Sequence, residues 1–234
     1  SKAMLERVYG EDAAEASQRF EGVARGFEGS FGAAGVEYFS SPGRVEIIGN
    51  HTDHNGGRIL AASVTMDTIC AAAPSGDDTV RIVSEGYRDP IVVSVSELSE
   101  KPAGTGSAAL VAGMLVAAKA QGFAVGGFDA YVSTRVVSSA GISSSASFEM
   151  LVGEVVNHLF NGDRMTVADR ARMGQYAENH FWNKASGLMD QMACATGGTV
   201  LLDFSQGVSC EKVDFSFDDL GYDLVLVNTG KGHA

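Results

Sequence analysis

The chain divides by its hydrophobic rhythm. In the first hundred residues apolar and polar positions alternate with a period near two over residues 45–48, 59–72, 80–84 and 91–95, which predicts four strands. Two helical stretches, 5–9 and 13–31, precede them. From residue 107 the spacing lengthens to that of helices over 109–121, 144–160, 167–182 and 188–195, with a strand expected at 128–136 between the first two. Strands return at 199–204, 211–215 and 222–227. A strand-rich half followed by a helix-rich half predicts an α+β domain instead of a doubly wound parallel sheet. No repeat, low-complexity tract or flexible linker interrupts the pattern.

Composition narrows the classes of function. With 45% hydrophobic and 20% charged residues, the 234-residue chain can bury a substantial core, and it is not a disordered acidic chain despite a net charge of −12. That charge argues against a nucleic-acid partner, because an acidic surface repels phosphate backbones. An anionic small ligand would need a local cradle of backbone N–H groups or a metal ion instead. Cys70, Cys194 and Cys210 are odd in number and widely spaced, which suggests neither a disulfide framework nor a zinc knuckle and fits the reducing cytoplasm. The amino-terminal stretch carries acidic residues where an export signal needs an apolar core. The longest apolar run, 108–118, falls short of the roughly 20 residues of a membrane span, so no membrane partner is expected.

Three clusters carry candidate chemistry. The first is GRVEIIGNHTDHNGG, residues 43–57, where a strand runs into a loop holding Asn50, His51, Thr52, Asp53 and His54 between glycines. It reads as a turn rich in Asn and Gly or, through His51, Asp53 and His54, as a metal site; neither explains Arg44, a charge inside the strand that needs a partner. The second is SSAGISSSASFEM, residues 138–150: a strand, a small-residue turn, then a helix. Small side chains let a ligand approach the backbone, and the first N–H groups of the helix lack intrahelical partners at the positive end of its dipole, which makes a phosphate seat. A serine N-cap is the plainer reading, yet Ser143, Ser144, Ser145 and Ser147 exceed what capping needs. No Walker A loop occurs in the chain. The third is AENHFWNKASGLMDQMA, residues 177–193, with Glu178 late in one helix and Asp190 early in the next, across a Ser186-Gly187 break. A carboxylate in a first helical turn is explained by the dipole alone, but Leu188, Met189, Met192 and Ala193 around Asp190 call for a charged or metal partner.

Together these clusters resemble the GHMP family of small-molecule kinases, most closely its galactokinase branch. There the first motif reads G-R-V-N-L-I-G-E-H-T-D-Y-N-G-G, the second G-A-G-L-S-S-S-A-S, and the third A-E-N-x-F-x-G-x-x-C-G-I-M-D-Q; order and spacing agree from about residue 38 to residue 230. The resemblance implies a mixed sheet with helices packed on one side. It also implies a GHMP amino-terminal domain over 1–220 and the start of a carboxy-terminal one, largely missing, over 221–234. It implies ATP and Mg²⁺, and transfer of the γ-phosphate to the anomeric hydroxyl of a sugar, galactose first. Asp190 matches the catalytic base and Arg44 the arginine beside it. Asn50, His51, Thr52, Asp53 and Gly187 fall on the sugar-binding segments. Ser139, Ala140, Gly141, Ile142, Ser143, Ser144 and Ser145 fall on the phosphate loop, and Ser145 and Glu178 match the Mg²⁺ ligands. Asn50 stands where the family has Glu, His54 where it has Tyr, Ser139 for the first Gly of the phosphate loop and Ser186 for Cys. The alternatives are a GHMP kinase for another sugar or sugar acid, which would vary at Asn50, and a non-catalytic sugar and ATP sensor.

Overall fold

The computed structural model describes residues 1–101, 106–138, 141–225 and 227. One sheet organises it. Strand β2, Arg58–Pro74, is the spine, and β1, Glu37–Ile48, pairs antiparallel along nearly its whole length. The other edge of β2 is shared: β5, Phe128–Thr134, pairs with 68–74 and β6, Thr199–Asp203, with 58–62. Outward from β5 lie β3, Thr79–Ser84, which pairs with it in parallel, and β4, Ile91–Ser94; β7, Ser209–Lys212, borders β6.

Three cores form on the two faces of β2. Cys70 and Ala72 face helices α3 (Gly106–Ala120), α4 (Ser144–Asn161) and α5 (Val167–Phe181), in a core with Leu110, Met114, Leu151 and Met173. Toward the other end of the strand, Ile59 and Ala61 pack with Met189 and Met192 of α6, Met189–Thr196. Ile69, Ala71 and Ala73 point the opposite way, onto Val23 and Phe27 of α2, Ala13–Phe31, which follows the short α1, Lys2–Tyr9. The α+β class and the mixed sheet are as the sequence implies. The one-sided helix layer holds for α3–α6, whereas α2 covers the opposite face.

Three strands depart most from expectation. β1 begins at Glu37, well before residue 45, because Ser-Ser-Pro-Gly at 40–43 reads locally as a turn yet pairs with β2. The register shifts between Pro42 and Arg44, a bulge that accommodates the missing Pro N–H. The strand expected at 222–227 is not formed over 222–225: Tyr222 N instead donates to Phe217 O, and Tyr222, Leu224 and Val225 are exposed without a ladder partner among the described residues. Residues 226 and 228–234 lie outside the described residues. β7 runs over Ser209–Lys212 rather than 211–215. Among the described residues no helix is long and apolar enough to cross a membrane.

Candidate active site

Three chain segments meet at one carboxylate. The bulge after Pro42 turns Arg44 inward, where its side chain is 5% exposed. Its Nε and Nη2 donate to Asp190 Oδ1 at 2.9 and 2.8 Å, and its Nη1 donates to the Gly141 carbonyl at 2.6 Å. Ser143 Oγ donates to the other oxygen, Asp190 Oδ2, at 2.6 Å. The backbone reinforces this junction: Arg44 N donates to Ile142 O at 3.1 Å, and Gly43 is required because a Cβ there would come within 2.8 Å of that same carbonyl. Asp190 is thus not a mere complement to the α6 dipole, since β1, the turn before α4, and α6 are tied through it.

The serine turn serves this junction before it serves any ligand. Gly141 and Ser143 both sit at positive φ, 73° and 57°. The Ser143 side chain makes no capping bond, because it is engaged with Asp190, so the first turn of α4 is left without a side-chain cap. Ile142 is buried, which limits any ligand contact there to its backbone. Ser144 and Ser145 are half-buried in that first turn. Ser139 and Ala140 lie outside the described residues.

Beyond Arg44 the strand end borders a cleft of about 540 Å³ whose lining includes Glu46, Asn50, His51 and Gly141. Asn50 and His51 occupy the left-handed region, at φ 54° and 52°. His51 is clamped by Glu46, whose Oε1 accepts the His51 N–H at 3.0 Å and whose Oε2 contacts Nδ1 of the ring. Thr52 Oγ1 donates to Gly49 O at 2.9 Å. Asp53, nearly buried, accepts from Met189 N at 3.3 Å at the start of α6, and Gly187 leaves the space its carboxylate occupies. His54 Nδ1 is 3.5 Å from Asp53 Oδ1 while His51 is held on Glu46, so the loop's candidate metal ligands do not converge.

Glu178 belongs to a separate, adjacent cluster. It is 2% exposed, and its Oε1 pairs with Lys184 Nζ at 2.7 Å; Oε2 contacts Ser186 Oγ. Gln191 Nε2 bridges Glu149 Oε2 at 3.0 Å and Glu178 Oε2 at 3.4 Å. Burial, and then the negative charge of Glu178, push the Glu149 carboxyl well above the usual range. Ser145 makes no hydrogen bond to Glu178 among the described residues, but it lies one helical turn before Glu149 on α4. Successive residues of α6, Asp190 and Gln191, therefore face the two clusters. Among the described residues no three His, Cys, Asp or Glu side chains are arranged to hold a metal by themselves. The oxygen donors around Glu178 nonetheless suit a hard cation that arrives on a nucleotide and keeps some of its waters. A carboxylate already holding an ammonium group fits that use.

Sequence reasoning missed Glu46, Glu149, Lys184 and Gln191. Glu46 had a signal: it stands in the first motif where the family pattern carries Asn. The others became legible only once α4, α5 and α6 were packed together.

Comparison with known proteins follows the same segments. Residues 25–74 match the galactokinase galactose-binding signature, and residues 115–198 match the GHMP kinases N terminal domain. The chain carries a GHMP kinase N-terminal domain. It is 34% identical to a galactokinase of Limosilactobacillus fermentum over 218 residues, which is 89% of this chain and 54% of that protein. A Bacillus subtilis galactokinase is likewise 34% identical, over 84% of this chain and 51% of its own length. The chain thus spans about half the length of the curated relatives it matches. The crystal structure of a Lactococcus lactis galactokinase complexed with galactose superposes with a TM-score of 0.76 at 34% identity, covering 82% of this chain and 51% of that one. A Methanococcus jannaschii mevalonate kinase shares the fold alone, with a TM-score of 0.64 at 16% identity over 80% of this chain and 58% of the other.

Proposed function

We propose that this chain supplies the sugar- and ATP-binding domain of a sugar 1-kinase that transfers the γ-phosphate of ATP to the anomeric hydroxyl of galactose. Residues 1–220 are assigned to that domain and 221–234 to the start of a second. The observation that carries the reading is the convergence of Arg44 and Ser143 on Asp190. Arg44 takes up both lone pairs of Oδ1, and Ser143 takes one on Oδ2, so Oδ2 keeps an acceptor position for an incoming hydroxyl. Asp190 accepts the hydroxyl proton as the oxygen attacks phosphorus, and Arg44 fixes the carboxylate and offsets charge building nearby. Asn50, His51, Thr52 and Asp53 present mixed donors and acceptors from a strand end, which suits a ring of sugar hydroxyls. Gly187 gives Asp53 its place.

The uncapped first turn of α4, over Ser143, Ser144 and Ser145, receives the nucleotide phosphates. Ser145 and Glu178 would hold Mg²⁺, Glu178 through the buried carboxylate that here pairs with Lys184. When bound, the cation neutralises phosphate charge. Cys70, Cys194 and Cys210, all free thiols, suit a cytoplasmic enzyme. The test is ADP release by the full-length gene product over a panel of monosaccharides. Galactose-dependent release is expected, and its absence with every sugar overturns the proposal.

A further inference from the structure

The cleft is lined by a carboxylate, Glu46, that the chemistry above leaves unused. Glu46 and Arg44 are two residues apart on β1 with no register shift between them, so both side chains project from one face, opposite Ala61 and Ser63 of β2. Glu46 therefore stands one pleat repeat from the Arg44–Asp190 pair and lines the same cleft. Its side chain is only 13% exposed and is fixed by His51, one contact to each oxygen. A carboxylate oxygen accepts two hydrogen bonds, so each oxygen retains one free lone pair. Rigidity has a visible cost. Asn50 and His51 are consecutive non-glycine residues in the left-handed region, a conformation that persists only where surrounding contacts hold it, and the Glu46 clamp is such a contact. A clamped carboxylate with two free, neighbouring acceptor positions matches two adjacent hydroxyls of a polyol. Its charge disfavours an acidic substituent at the same place.

We propose that Glu46, held by His51, determines acceptor specificity in this chain by taking hydrogen bonds from adjacent hydroxyls of a neutral sugar. The proposal rests on the cleft being the sugar site, as argued above. It explains how Asn50 can lack a charge without leaving the site neutral: against the family motif the amide and the carboxylate have exchanged positions 46 and 50.

The experiment compares wild type, Glu46→Gln and Glu46→Asp in the full-length gene product, against galactose, its four monodeoxy analogues and galacturonic acid. Glu46→Gln keeps an acceptor for the His51 N–H and should fold; thermal unfolding checks this, and Glu46→Asp retains the charge at a shorter reach. The expected result is a galactose KM raised about 10- to 100-fold by Glu46→Gln, the loss of a charge-assisted bond, with kcat and the KM for ATP little changed. Glu46→Asp should fall between. At least one deoxy analogue should bind wild type comparably weakly and show no further loss in Glu46→Gln, and discrimination against galacturonic acid should relax. A galactose KM within twofold of wild type, or a penalty equal for every analogue, overturns the proposal while the kinase reading stands. If wild type phosphorylates no sugar, the kinase reading itself has failed.

Discussion

Gly187→Ala isolates the contact that couples the sugar loop to the helix bearing Asp190. Gly187 is not at positive φ, so alanine adds no backbone strain, but its Cβ would overlap the Asp53 carboxylate and lie 3.0 Å from Oδ1. Asp53 cannot simply swing away: its side chain is 8% exposed, and leaving gives up the bond from Met189 N at the first turn of α6. Overpacking of this kind costs about 1–3 kcal/mol, and losing an acceptor at a helix start about 0.5–2 kcal/mol. Together they predict roughly 2–4 kcal/mol, and for a domain of this size a Tm lower by about 5–15 °C. Because Asp190 follows Met189, the displacement should also raise the sugar KM. Calorimetry on Gly187→Ala, Asp53→Ala and the double variant measures the coupling. With the carboxylate gone there is nothing to collide with, so Gly187→Ala should cost less than about 1 kcal/mol in the Asp53→Ala background. A cost of the same size in both backgrounds, or a Tm unchanged in the single variant, would refute the packing argument.

Two further predictions concern the buried carboxylates. Glu178→Gln should raise the Mg²⁺ concentration needed for half-maximal activity about tenfold or more while sparing the sugar KM, and an identical Mg²⁺ titration at saturating ATP and sugar counts against Glu178 as a ligand. Glu149 has a folded-state pKa raised by burial and then by the charge of Glu178, so its contribution to stability is complete below the ordinary carboxylate range and is lost as pH rises through the raised value. Glu149→Gln cannot ionise; its stability relative to wild type should therefore increase from pH 5 to pH 8, with a slope of up to about 1.4 kcal/mol per pH unit. Parallel urea midpoints for the two proteins across that range would contradict the assignment.

Much of this fold was legible because long periodic segments declare themselves. The seventeen-residue β2 and the helices α2, α4 and α5 follow from apolar spacing alone. What the pattern hid was decided by partners distant in sequence. The first part of β1 looks like a turn until β2 is laid beside it, and residues 222–225, apolar enough for a strand, have nothing among the described residues to pair with. The candidate site divides the same way. Arg44 and Asp190 each demanded a partner on physical grounds, and they partner one another. The Ser143 side chain, which the sequence offers as a helix cap, bonds instead to Asp190. The Glu149–Gln191–Glu178 bridge draws on three helices, and no local spacing announces it.

The most direct test of the central claim is the turnover of Asp190→Asn in the full-length protein, measured by ADP release alongside calorimetric binding of galactose and ATP. Asparagine keeps the size of the side chain and accepts the Arg44 bonds on one oxygen, but it cannot take a proton. If Asp190 is the base, kcat should fall by roughly 10² to 10⁴ while both dissociation constants stay within a few fold of wild type. A kcat within about threefold of wild type, with binding intact, would remove Asp190 from the mechanism and leave its pairing with Arg44 and Ser143 a purely structural junction.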